Sequence, residues 1–136
     1  MLPRLNAEKH CGVKTVGYRS EVAFAIHPDK VGDFLAVLST SQGALDLCRW
    51  DNGMRSDVFM KGDLFIHMDG VKWYEGYKDI DIIDKFIADT IDEENGPEMV
   101  RFLRIGEDND DVVECGDYAY GSLRVYRSIC VEGMYD

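Results

Sequence analysis
The run Glu107-Asp108-Asn109-Asp110-Asp111 holds the densest set of potential ligand oxygens in this 136-residue chain. Clustered carboxylates can hold hard cations such as Ca²⁺. An EF-hand loop starting at Asp108 needs an oxygen-bearing side chain at its fifth place and glycine at its sixth. Val112 and Val113 stand there, so the motif fails. The plainer expectation is a solvated acidic turn between strands, without metal. Paired carboxylates for acid–base work need a desolvated pocket that shifts one of them, and these acids read as hydrated. His10, His27 and His67 lie in no nucleophile motif. Neither G-x-x-x-x-G-K-[ST] nor G-x-G-x-x-G occurs, so phosphate loops of those kinds are missing. The expectation is a non-enzymatic protein with no cofactor.

Two other residue sets could do chemistry. Cys11, Cys48, Cys115 and Cys130 form no C-x-x-C pair and have no histidine at ligand spacing, His10-Cys11 being the only adjacent His/Cys pair. Four free thiols are expected, with Cys48 and Cys130 buried in apolar stretches. Trp73-Tyr74-Glu75-Gly76-Tyr77 is the most unusual local sequence. With Trp50, Tyr118 and Tyr120 it could form a recognition surface, because Trp and Tyr anchor interfaces. Trp73 could equally cover the edge of the core. The same aromatics could stack a nucleotide base, with Arg101, Arg104, Arg124 and Arg127 available for phosphate. Trp73, Tyr74, Arg104 and Arg127 are then the candidate nucleotide-binding residues.

Charge is distributed unevenly. Residues 1–78 balance ten acids with ten bases, and 118–136 balance two with two. Residues 79–117 hold 14 acids against Lys85, Arg101 and Arg104, which accounts for the whole net charge of −11. One cluster is Asp89, Asp92, Glu93, Glu94 and Glu98. The other is Glu107, Asp108, Asp110, Asp111, Glu114 and Asp117. Such a field repels nucleic acid and anionic membrane and attracts basic surfaces. The second cluster, with Trp73 and Tyr74, is the candidate partner-binding set. A solubilising face is the competing explanation.

These residues need a scaffold. An apolar content of 46% is too high for a disordered tail, and the length suits one domain, 1–136, with residues 1–15 as an arm. No apolar run approaches the roughly 20 residues of a membrane span, and no hydrophobic signal core opens the chain, so a cytoplasmic protein is expected. Val22, Phe24 and Ile26 alternate in a strand over 16–26. Val31, Phe34, Leu35 and Leu38 make one helical stripe after Pro28. Short strands are expected at 44–50 and, as a hairpin, at 57–60 and 64–68. Ile80, Ile83, Phe86, Ile87 and Ile91 mark the strongest helix, 79–92, stopped by Asn95-Gly96-Pro97. Strands follow at 98–105, 111–115 and 123–131. The order predicts an α+β fold, a mainly antiparallel sheet with two helices on one face, as a ferredoxin-like variant.

The stretch Val71–Tyr77, the Ile-rich helix, Phe102–Val112 and Val125-Tyr126-Arg127-Ser128-Ile129 resemble a family of small acidic accessory proteins of tailed bacteriophages, over roughly residues 20–131. The resemblance carries no catalytic residues. It implies a protein acting in the cytoplasm of an infected bacterium, where such proteins often counter host defence. Some occupy DNA-binding grooves of host nucleases, and others sequester nucleotide signals. The leading expectation is an inhibitor of a CRISPR or restriction protein whose acidic surface mimics nucleic acid. The alternative is a sponge for a cyclic nucleotide signal. Direct nucleic-acid or membrane binding is not expected. A homodimer is the other association considered.

Overall fold
The computed structural model describes residues 17–49 and 53–126. Its elements are β1 (Ser20–Ile26), α1 (Pro28–Leu38), α2 (Gln42–Cys48), β2 (Met54–Ser56), β3 (Leu64–Val71), α3 (Lys78–Ile91), a 3₁₀ turn (Gly96–Glu98), β4 (Val100–Ile105) and β5 (Val112–Gly116). The fold is α+β. A five-stranded sheet, order β2-β3-β1-β4-β5, is antiparallel at every pairing.

Strand periodicity explains one layer. Val22, Phe24 and Ile26 of β1 face the same side as Ile66 and Met68 of β3 and Val100 and Phe102 of β4. Phe34 and Leu38 of α1, Ala44 and Cys48 of α2, and Ile83, Phe86 and Ile87 of α3 join them in one core. Three helices, rather than the expected two, therefore touch this core.

The added helix corrects the strand expected at 44–50, of which residue 50 lies outside the described residues. Ala44 and Cys48 are buried one helical turn apart, while Leu45 and Leu47 are half-buried. Ser41 caps the helix, its Oγ accepting from the Ala44 N–H at 3.2 Å and donating to Asp79 Oδ1 at 2.7 Å. The Asp79 carboxylate lies so close to the first turn that a Cβ on Gly43 would be 2.2 Å from its oxygen. Asp79 also sits in the first turn of α3, so one carboxylate faces two helix N-termini.

The strand expected at 57–60 is a loop, and β2 lies just before it, at Met54–Ser56. The Val58, Phe59 and Met60 N–H groups donate to the Asp63 carboxylate at 2.8–3.0 Å. Backbone donors engaged there cannot also serve a sheet ladder.

The second face of the sheet is covered by the segment after β5. Ala25, Phe65, Leu103, Tyr118 and Leu123 form that smaller core. The strand expected at 123–131 is not formed at 123–126, and 127–131 lie outside the described residues. Leu123 N–H bonds Ala119 O at 2.8 Å, and Leu123 O accepts from Arg101 Nε at 2.6 Å. Buried Arg101 thus uses a carbonyl that a strand would have given to a neighbour. Residues 1–16, with His10 and Cys11, and also Trp50, Cys130 and Arg127, lie outside the described part.

Candidate functional site
The antiparallel pairing of β4 with β5 sorts the acids. The β4–β5 loop lies at one end of this pair, and the 3₁₀ turn and the residues after β5 lie at the other. At the loop end, Glu107, Asp108 and Asp110 are exposed. Glu107 accepts from the Arg19 backbone N–H. At the opposite end, the Asp117 N–H donates to Pro97 O at 2.6 Å. That bond brings Asp117 beside Glu98 and the acidic end of α3. Asp117 therefore lies at the end of the pair where the chain enters β4 after Glu94 and Glu98, not at the loop end with the cluster it belongs to in sequence.

Asp111 corrects the expectation of an exposed acidic run. It is 1% exposed, and its carboxylate takes a two-point ion pair from Arg104, at 2.7 and 3.0 Å. The Tyr18 hydroxyl donates to the same carboxylate. The Tyr18 O–H is held above its ordinary pKa, first by burial and then by this bond. Gly106 completes the enclosure, since a Cβ there would overlap both Asp111 and Tyr18. Asp111 is a fold residue. Glu114 is half-engaged, accepting from Arg101 at 2.9 Å.

Trp73 is likewise withdrawn from the surface. It is 3% exposed and stacks at a tilt on Phe102, with ring centroids 5.8 Å apart. Its indole N–H donates to Asp84 Oδ1 at 3.3 Å. Tyr74 is half-buried, its hydroxyl bonding Tyr18 O at 2.9 Å. Trp73 and Arg104 therefore cannot meet a nucleotide as the sequence suggested, because the core and Asp111 already hold them. Arg127 lies outside the described residues, and Arg101 is buried against carbonyls.

The exposed surface carries both signs, with Arg49, Lys61, Lys72 and Lys78 among its bases, but several of its acids have no described cation beside them. Glu94, Glu98, Asp108 and Asp117 form no ion pair with a described residue. Lys30 is committed to Glu93 and Asp33, and Lys85 to Asp89. Among the described residues no three His, Cys, Asp or Glu side chains converge as a metal site. Cys48 and Cys115 are free thiols, pushed up to about 12 and about 11 by burial, which makes them poor nucleophiles. Asp84, half-buried beneath Trp73, is raised to about 7 by burial, with Asp81 and Glu75 adding repulsion.

Two concavities stand out among the described residues. One, of about 380 Å³, lies between α2, the start of α3 and the end of β3. Arg19, Lys72 and Tyr77 contribute to its lining together with Asp46 and Asp79. The other, about 290 Å³ on the second face, has Phe65 and Leu103 in its lining, with Arg124 and the Glu21–His67 pair (2.7 Å) among its polar groups. Sequence reasoning had no signal for either, since each joins residues at least 30 positions apart. No helix among the described residues is long and apolar enough to cross a membrane. Comparison with known protein families, curated proteins and solved structures returns no match.

Proposed function
We propose that this protein is a non-enzymatic inhibitor that docks its acidic edge onto a basic surface of another protein. The regrouped acids carry this reading: Glu94, Glu98 and Asp117 at one end of the β4–β5 pair, Glu107, Asp108 and Asp110 at the other. A five-to-six-residue strand spans roughly 17–20 Å, so the two groups bracket one edge of the molecule. Exposed carboxylates in that arrangement can take the place of phosphates and steer association with a cationic groove. The phage resemblance supplies the setting: the cytoplasm of an infected bacterium, and a CRISPR or restriction nuclease as the target class. We read the fold as a ferredoxin-like variant on the order β2-β3-β1-β4, with α2 and β5 as additions.

The test is competition with fluorescent duplex DNA for a panel of purified restriction and CRISPR nucleases. The protein should displace DNA from at least one of them, less well as salt rises. Neutralising all six acids (Glu94→Gln, Glu98→Gln, Asp117→Asn, Glu107→Gln, Asp108→Asn, Asp110→Asn) should weaken displacement at least tenfold. Undiminished competition by that variant, or no displacement from any nuclease, overturns the proposal.

Sequestration of a small nucleotide is the second reading. The 380 Å³ cavity favours it, because Arg19, Lys72 and Tyr77 offer charge and a ring. Asp46 and Asp79 in the same lining oppose an anion. Nucleotide released from protein purified from its host, and identified by mass spectrometry, would favour this reading over docking.

A further inference from the structure
We infer that β5 is a strand-addition site for a basic, alternating segment of the partner. This inference rests on the docking reading above and specifies how the partner is held. β5 (Val112–Gly116) is last in the sheet order, and among the described residues it pairs only with β4. An edge strand leaves alternate N–H and C=O groups pointing away from the sheet. On β5 the Val112 N–H already bonds Asp110 O at 3.1 Å and the Gly116 O accepts from Arg101 at 2.8 Å, so pairing with another chain centres on Glu114. The opposite edge is a poorer template, since β2 has three residues and its Arg55 lies over the Phe65 ring.

The side chains of β5 specify what fits. Val113 and Cys115 lie on the helix-bearing face, where both join the main core. Glu114 lies on the other face, opposite Leu103 in register and bonded to Arg101, with its side chain still about half exposed. An added strand would place alternate residues beside Val113 and Cys115 and the intervening ones beside Glu114. Apolar side chains suit the first set and lysine or arginine the second. Asp108 and Asp110 precede the strand and Asp117 follows it, so the basic preference extends past both ends. A second copy of this chain is the wrong occupant. It would bring its own Asp108, Asp110, Glu114 and Asp117 against these, and two molecules of net charge −11 repel.

The probe is an eight-residue peptide alternating valine and lysine, with both ends blocked. The control carries the same charges but is N-methylated along one edge, so it cannot complete a ladder. Binding is followed by amide NMR and hydrogen exchange on the intact chain at low salt. The expected result is at least tenfold slower exchange at the Glu114 amide of β5, and at least tenfold weaker binding of the methylated control. Equal binding of both peptides would overturn strand addition while leaving acidic docking in place. Absence of binding by either would overturn strand addition, while the docking reading would still stand or fall on the nuclease competition. Protection of β5 without peptide, accompanied by a concentration-dependent dimer, would also overturn the inference by identifying a second copy as the occupant.

Discussion

Asp108 and Asp111 are three residues apart and physically unlike. Asp108 is exposed, so Asp108→Asn should change unfolding free energy by no more than about 0.5 kcal/mol. Asp111→Ala leaves Arg104 charged and unpaired at 1% exposure, which should cost about 3–5 kcal/mol. Urea titration of the two variants measures the contrast, and equal stabilities would show that the ion pair is misplaced. Asp84 and Asp63 give opposite pH dependences. Asp84 is raised in the fold to about 7, so the folded state binds its proton more tightly than the unfolded chain does. Its contribution to stability is therefore largest below about pH 4 and declines as pH rises to about 7. Asp84→Asn should flatten that slope and stabilise the protein at pH 8 by roughly 1–2 kcal/mol, allowing for solvent screening at a half-buried site. Asp63 is pushed up by burial, but the Tyr118 O–H and three backbone N–H groups outweigh this and hold it below its usual value. Its contribution is present at neutral pH and lost as pH falls below the ordinary aspartate range. An Asp63→Asn variant should accordingly lose stability at pH 7 and show a shallower acid limb. Chemical unfolding from pH 3 to pH 8 separates the two residues.

At the scale of elements, α3 sets four buried residues into the core, Ile80, Ile83, Phe86 and Ile87. Ile83 and Ile87 are fully buried one turn apart. Ile87→Ala should cost about 2–5 kcal/mol, and a loss under half a kilocalorie would mean that the stripe does not face the sheet. The end of α3 is set by backbone contact. Asn95 adopts left-handed φ of 59°, and a Cβ on Gly96 would lie 1.8 Å from Thr90 O. Gly96→Ala should therefore move the 3₁₀ turn, and with it Asp117 and its partner Pro97 O. Circular dichroism would show α3 retained, while the Asp117 amide loses protection from hydrogen exchange. The stripe of α3 was legible because five apolar residues recur at helical spacing. The helical state of α2 was not. A seven-residue run with apolar residues at 44, 45, 47 and 48 fits either period, and the deciding groups are its cap and Asp79, 38 residues after Ser41.

For the whole molecule, the net charge of −11 works against compaction. Adding NaCl up to about 0.15 M should raise the urea midpoint, because screening relieves repulsion among exposed acids over about 8 Å. The buried Arg104–Asp111 pair is screened far less, so the Asp111→Ala penalty should persist as salt rises. A midpoint that falls with salt would mean that surface attraction outweighs repulsion in the fold.

Composition and periodicity by themselves determined that this chain forms an α+β core, where its two longer helices lie, which strands alternate, and where the negative charge resides in sequence. These properties follow from local spacing and from counts that folding does not alter. Tertiary structure alone decided which charges reach the surface. Burial of Asp111 depends on Arg104 seven residues away and on Tyr18 and Ser20, more than 80 residues removed from that pair. Burial of Trp73 depends on Phe102, supplied by another element. Residues 57–60 became loop because Asp63 collects their amides, and Asp117 left its sequence cluster because its amide pairs with Pro97. A carboxylate can be a surface charge, an amide acceptor or half of a buried ion pair. The donor it meets decides among these, and that donor comes from the assembled sheet.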